Sequence, residues 1–402
     1  MGTVAVIGAG ASGIIAALTA SERHNVVLLD GNDKCGKKIL LTGNGRCNYW
    51  NSVIGADMYE TDSRNSLEKI LTDENLGNVL SFLERLGIYP KIKNGYYYPY
   101  SNQSTSIREI FEKKIENSNI KFETNFKAEK IFEKDGRFSV VSADGKKISC
   151  DKVIVATGSK TYPKTGSDGT GYTLAEAMGH SVNMPLPALT GLISTGKFLK
   201  DWEKIRCDAG VTLFVNGKPV KTDVGEIQLT AKGVSGICVF NVSGVAAKHL
   251  YHNDKVEISI NFMPHLENEV YKWLDERCSK LTDMTVEMVL ESIFNYKLMF
   301  VLLKKAGVTK DSKWQNMNDS QRNSLCRAIE DFRIPVLETE SYEKAQVCTG
   351  GVPLSQINPH TMESLVKPNV YFAGEILDVD GRCGGYNLAF AFISGYISGR
   401  SI

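Results

Sequence analysis

Uninterrupted apolar runs, helical stripes and alternating runs follow one another along this chain. Residues 4–7 are apolar without a break, as in a strand buried on both faces. Residues 14–20 are apolar and alanine-rich, suited to a helix packed on a sheet, and residues 26–29 are a second buried strand. Strand, helix and strand in that order predict a parallel sheet. Residues 65–86 place Leu67, Ile70, Leu71, Val79, Leu80, Leu83 and Leu86 at helical spacing. Residues 106–116 read as a helix and 120–123 as a strand. Residues 127–131, 138–141 and 147–150 alternate like an antiparallel meander, with turns at Asp135-Gly136 and Asp144-Gly145. A buried strand returns at 153–155, and a short helix follows at 174–178.

Past Pro185-Leu186-Pro187 the pattern changes. Short strands are expected at 211–215, 227–230, 236–239 and 256–260, and helical stretches at 270–274, 284–293 and 297–305. The last segment holds a buried strand at 369–373 and, at 386–398, a helix that is apolar on most faces. The patterning predicts an α/β fold. Residues 1–188 and 340–402 form one domain, interrupted by a β-rich domain at 189–262 and a helical subdomain at 263–339.

Gly8, Gly10 and Gly13 follow the first strand in the spacing G-x-G-x-x-G, and the second strand ends on Asp30. That register fits a dinucleotide. Gly8 permits the tight turn, Gly10 lets a pyrophosphate approach the backbone, and Gly13 lets helix and strand pack closely. The helix start offers unpaired N–H groups and a positive dipole end. A carboxylate at the ribose argues against a 2′-phosphate, so FAD or NAD is favoured over NADP. Small residues Ala156, Thr157 and Gly158 end the strand at 153–155, where backbone can approach a nucleotide. Residues 31–51 are rich in Gly, Lys and Asn and are expected to wrap the cofactor. In residues 89–100, YPKIKNGYYYPY, the tyrosines between prolines either stack on a ring or cover a sheet edge.

Composition narrows the class. With 402 residues, 42% of them hydrophobic, the chain is long enough for two or three cores. A net charge of +1 gives no basic field for nucleic acid or an anionic membrane. Nine cysteines without a C-x-x-C pair suit a reducing cytoplasm. No apolar run is long enough to span a bilayer, and the start of the chain lacks the basic n-region of a signal peptide.

The C-terminal stretch turns the choice toward FAD. Its strand runs into GEILDVDGRCGGYNLAFAFISG at 374–395. A helix starting at Gly384-Gly385-Tyr386-Asn387 suits the partial negative charge of a reduced flavin, and Glu375 or Asp378 can bond a polyol such as the ribityl chain. An NAD dehydrogenase has no use for such a module.

Five stretches carry a resemblance: VIGAGASG (6–13), KKILLTGNGRCN (37–48), ATGSKTYPKTGSDGTGY (156–172), CTGGV (348–352) and GEILDVDGRCGGYNLAFA (374–391). Together they make the chain resemble the aminoacetone oxidase-like or bile-acid-reductase-like FAD-binding flavoproteins over nearly its whole length. The resemblance implies a Rossmann-like FAD-binding domain with a central parallel sheet and a β-meander, an inserted β-barrel-like domain and a small helical domain. It implies non-covalent FAD. By position, Gly8, Gly10, Ala11, Ser12, Gly13 and Asp30 hold the ADP half, and Lys38, Gly45, Arg46 and Asn48 approach pyrophosphate and flavin. Ala128 meets adenine, and Ala156, Thr157 and Gly158 line the nucleotide. Gly374, Glu375, Asp380, Gly385, Tyr386, Asn387 and Leu388 hold the ribityl chain and ring. The chain departs at Asp30, where such proteins often carry Glu, and at Ser159, where a glycine is common.

A single Rossmann fingerprint leaves no separate NAD(P) domain. The expected activity is reduction of a small organic substrate, with NADH or NADPH docking transiently at the flavin. A flavin amine oxidase passing electrons to oxygen is the alternative, and a non-enzymatic FAD-bound sensor or an RNA-associated protein a weaker third. No catalytic acid or base stands out. Cys47 and Cys383 read as inert rather than redox-active, Tyr162 and Lys164 sit in a loop that could reach the ring, and Arg382 could hold an anionic substrate. His249 and His252 form H-x-x-H without a third metal ligand and read as a solvated helix face.

Overall fold

The computed structural model describes residues 2–267 and 269–402. Met1 and Asn268, which fall within the expected 1–188 and 263–339 segments, lie outside the described residues. The chain divides into two compact units, residues 1–186 with 342–402, and residues 187–341.

The first unit is built on a five-stranded parallel sheet in the order Val370–Phe372, Lys152–Val155, Thr3–Ile7, Asn25–Leu29, Lys121–Glu123. The uninterrupted apolar strands are buried on both faces, which is why they lack alternation. The meander forms as Ala128–Lys134, Arg137–Ser142 and Lys147–Cys150. The helical stretch expected at 65–86 is two helices, Arg64–Ile70 and Asp73–Arg85. The break falls at Thr72, whose hydroxyl accepts from the Asn75 N–H and starts the second helix. The terminal helix Tyr386–Ser401 is buried nearly all round and packs on Ala11–Ala20. The contact works because it is lined by small residues. A Cβ on Gly395 would stand 2.4 Å from the Ser12 carbonyl oxygen, and one on Gly399 would stand 2.4 Å from that of Ala16.

The second unit carries a seven-stranded antiparallel sheet, beginning at Phe332–Pro335 and ending at Glu338–Thr339. These two edge strands are separated by only Val336 and Leu337, so the sheet curls until its edges come together, as in a barrel. Helices Val270–Lys280, Tyr296–Ala306 and Asp319–Glu330 share this sheet's core, with Leu274, Leu302 and Ile329 buried alongside Trp202 and Phe332. The strand expected at 236–239 is overturned. Gly236, at φ 105°, reverses the chain, and helix Ile237–Tyr251 begins at the next residue. Val239 is β-branched and reads locally as strand, but Cys238, Val239, Val242 and Ala246 form one buried helical stripe. Among the described residues, no helix is long and apolar enough to cross a membrane.

Candidate cofactor site

Four strand ends of the parallel sheet deliver the fingerprint residues to one edge. Gly8 follows Ile7, Asp30 follows Leu29, Ala156 follows Val155, and Gly374 lies two residues past Phe372. This is where open α/β sheets bind ligands. Gly8 has φ 102°, and a Cβ there would stand 2.4 Å from the Ala156 carbonyl oxygen. A Cβ on Gly13 would strike the Gly8 oxygen at 1.8 Å. Gly10 differs: nothing lies within 4 Å of its Cβ position, and it precedes helix Ala11–Ala20 with no side-chain cap. The N–H groups of that first turn, including those of Ala11 and Ser12, are left without an intrahelical partner.

Asp30 is committed to shaping this loop. Its Oδ2 accepts the Ala9 N–H at 2.7 Å, and its Oδ1 accepts the backbone and side-chain N–H groups of Asn32 at 2.8 and 2.9 Å. The Phe126 N–H bonds the Asp30 carbonyl, which brings Ala128 to the same edge. Thr157 Oγ1 is buried without a hydrogen-bond partner, an orphan that a bound polar group would satisfy. Gly158 stands at φ 73°.

A second cluster links segments far apart in sequence. Lys38 Nζ reaches Glu375 Oε2 and Thr161 Oγ1, each at 2.7 Å. Glu375 Oε1 also accepts from Ser159 at 2.7 Å and from the Cys348 N–H at 3.2 Å. Thr161 escaped the sequence reading, although it lies in the SKTYPKTG stretch. Ser159, noted as a departure, supplies a bond that glycine could not. Tyr162 sits at φ 53°, rare for a bulky residue. Its ring faces the Lys38 ammonium 5.9 Å away.

The ion pair is only partly shielded, with side chains 23% and 19% exposed. Lys38→Met is expected to lose about 1–2 kcal/mol of stability, less than a fully buried pair would. Lys38→Met/Glu375→Gln should recover part of that loss in a urea double-mutant cycle. A strictly additive cycle would show that the pair contributes no coupling.

At the start of the terminal helix, Gly385 has φ 93°, and a Cβ there would stand 2.5 Å from the Trp50 carbonyl oxygen. Asn48 turns its amide N–H groups toward the carbonyls of Tyr97 and Trp50, each at 3.1 Å. Asn387 clasps Gly381 through both N–H and C=O at 2.8 Å. Tyr386 is buried, its ring 5.9 Å from that of Tyr59, and its carbonyl accepts the Tyr59 hydroxyl at 3.0 Å. Tyr59 is a further residue the sequence did not single out. Leu388 packs against the core. Gly374 donates to Ser394 Oγ at 2.9 Å, and a Cβ on it would meet Ser12 Oγ at 2.3 Å. Asp380 is buried and pairs in register with Glu60. Gly45 has open space at its Cβ position, like Gly10, while the Arg46 guanidinium lies over the Tyr98 ring at 5.6 Å.

The polyol role offered for Asp378 does not hold. It is buried, and its oxygens take the Gly350 N–H at 3.0 Å and the Asn183 amide at 2.7 Å. Burial pushes the Cys47 thiol up to about 12, which leaves it without thiolate character at neutral pH. His249 bonds Asp254 at 2.8 Å. The two helix starts, the open positions at Gly10 and Gly45 and the orphan Thr157 hydroxyl fit an elongated dinucleotide.

Fold and site thus define a protein of the Rossmann dinucleotide-binding class. A family model described as the HI0933-like protein Rossmann domain matches residues 2–401. The chain belongs to that flavoprotein family. It is 35% identical over its full length to a 3-dehydro-bile acid delta(4,6)-reductase of Clostridium scindens, covering 99% of that protein. It is also 26% identical to ribosomal RNA dihydrouridine synthases of Escherichia coli and Haemophilus influenzae, over 99% of this chain and 97% of each relative.

Proposed function

We propose that this protein is an FAD-dependent reductase that saturates a carbon–carbon double bond conjugated to a carbonyl. FAD is held non-covalently, and NADH or NADPH docks directly at the flavin as a transient donor. The carrying observation is that Ser12, in the first turn of the fingerprint helix, packs against Gly374 at the end of the C-terminal strand and against Gly395 inside the terminal helix. One unit thereby offers a fingerprint for the ADP half and a second helix start for the flavin.

The names of the relatives support the direction of the reaction. A delta(4,6)-reductase and a dihydrouridine synthase both remove a double bond that a carbonyl activates. The flavin, when bound, supplies hydride transfer. The chain's own part is to bind, orient and shield. Backbone N–H groups at Ala11, Ser12 and Gly13 hold the pyrophosphate, and Asp30 fixes the loop that presents them. Lys38 and Glu375 set the ribityl side, and the first turn from Tyr386 to Leu388 presents N–H groups to the ring.

The purified protein is expected to be yellow and to bleach anaerobically within seconds of adding NADH or NADPH. An enone-type substrate should then restore the oxidised bands. Bands that persist with both nicotinamides but bleach with small amines would overturn this reading in favour of an amine oxidase. A protein that takes up no FAD would remove its basis.

A further inference from the structure

The hairpin Pro90–Lys93 and Tyr96–Pro99 carries rings and cations on one face. Lys91 pairs with Tyr98 and Lys93 with Tyr96, and the Tyr100 N–H bonds the Tyr89 carbonyl at 2.9 Å. Strand side chains alternate between faces, so Tyr89, Lys91 and Lys93 share one face with Tyr96, Tyr98 and Tyr100. Lys91 and Lys93 are exposed. Tyr89 is 70% exposed and Tyr100 66%, and their rings form a tilted pair with centroids 5.6 Å apart. The Arg46 guanidinium lies over the Tyr98 ring.

One end of this strip reaches the start of the terminal helix, assigned here to the flavin ring. A Cβ on Gly384 would lie 2.9 Å from the Tyr96 ring, and the Asn51 amide donates to the Gly384 carbonyl at 3.0 Å. From there the strip runs in a fixed order. Tyr96 with Lys93 comes first, then Tyr98 with Lys91 and Arg46, then Tyr100 with Tyr89. At about 3.4 Å per residue, the Tyr89–Tyr100 ring pair stands about 14 Å from Tyr96. Residues 34–56 and 85–108 contain no Asp or Glu, and the fold joins these stretches by pairing Trp50 with Tyr97 and Asn51 with Tyr96. Among the described residues, Arg46, Lys91 and Lys93 make no ion pair with a carboxylate.

We infer that this strip seats the adenosine half of NADPH while its nicotinamide reaches the flavin, and that Lys91 selects NADPH over NADH. The inference rests on the reductase reading above and adds to it the donor's site and identity. A nicotinamide dinucleotide is a flat ring, a pyrophosphate and a second flat ring in line. The strip offers cations in its middle and an aromatic platform at its far end, over a span that suits the extended form of such a molecule. Adenine stacks on the Tyr89–Tyr100 pair, and Lys93 and Arg46 take the pyrophosphate. Lys91, two residues from Tyr89, is then left beside the adenosine ribose. There NADPH, and not NADH, carries a phosphate of about two negative charges. The fingerprint loop, with its Asp30 carboxylate, disfavours that phosphate, so charge sorts the two nucleotides between loop and strip.

The test is anaerobic rapid mixing of the FAD-loaded full chain with NADPH or NADH, following flavin bleaching against nucleotide concentration. Calorimetric titration with 2′,5′-ADP, which lacks the nicotinamide, accompanies it. Wild type is expected to half-saturate with NADPH at a concentration roughly tenfold below that for NADH, and to bind 2′,5′-ADP more tightly than 5′-ADP. Lys91→Gln should raise the NADPH value roughly tenfold and the NADH value little, removing the preference. Tyr89→Ala/Tyr100→Ala should raise both values roughly tenfold, since both nucleotides carry adenine. Flavin content, read before mixing, reports the folding of each variant. Equal half-saturation by the two nucleotides in wild type would overturn the inference while leaving the reductase reading intact. So would either variant keeping wild-type values. If neither nucleotide bleaches the flavin, the reductase reading fails and the titration decides the strip by itself. Binding of 2′,5′-ADP that both variants lose would uphold the strip, and no binding would overturn it.

Discussion

Gly10→Val should purify as folded, colourless protein. Gly10 has φ −85° and nothing within 4 Å of its Cβ position, so valine fits both the backbone and the surrounding protein. The same side chain projects into the space that the fingerprint reserves for the pyrophosphate. Flavin affinity is expected to fall by roughly tenfold or more, at least about 1.4 kcal/mol, with the far-UV circular dichroism unchanged. The measurement is absorbance at the flavin band per mole of protein, after purification and again after adding FAD. Full flavin content in this variant would show that the cofactor does not approach Gly10. Gly13 and Gly385 are poorer probes, because a side chain at either meets backbone oxygen and threatens the fold itself.

The largest stability effect is expected at the contact between the first and last helices. Gly395→Val would push a branched side chain into the Ser12 carbonyl, which cannot rotate away as a flexible side chain could. Overpacking typically costs about 1–3 kcal/mol, and backbone on the receiving side places this change near 3 kcal/mol. Flavin retention should fall as well, because Ser12 belongs to the turn proposed to hold the pyrophosphate. Gly77→Ala is the matched control. Gly77 is exposed within helix Asp73–Arg85, with nothing within 4 Å of its Cβ position, so alanine should stabilise by about 0.5–1 kcal/mol. Urea midpoints for the two variants should move in opposite directions. An unchanged midpoint for Gly395→Val would mean that the helices pack with more room than the structure shows.

Much of the candidate site was legible because dinucleotide loops are local. Gly8, Gly10, Gly13 and Asp30 lie within one strand–helix–strand unit, and each constraint there acts over a few residues. Buried parallel strands were equally plain, since burial on both faces removes alternation. The segment at 236–239 misled because its β-branched Ile237 and Val239 favour strand locally, while the helical stripe that decides it extends as far as Ala246. Asp378 misled for another reason. A carboxylate in a glycine-rich stretch looks available until the Gly350 N–H and the Asn183 amide are found on its oxygens.

The sequence by itself determined the α/β class, the nucleotide loop and the segments that return to it, because periodicity and glycine spacing are written within short windows. Tertiary structure alone decided which distant groups meet. Lys38 finds Glu375 across 337 positions of chain, and Ser12 meets Gly374 and Gly395 from the opposite end. It also decided that residues 34–56 and 85–108, which contain no Asp or Glu in a chain of net charge +1, lie side by side through the pairing of Trp50 with Tyr97 and Asn51 with Tyr96. Net charge sums over the chain, but a ligand meets only the charges within about one Debye length of where it binds, and those are chosen by the fold.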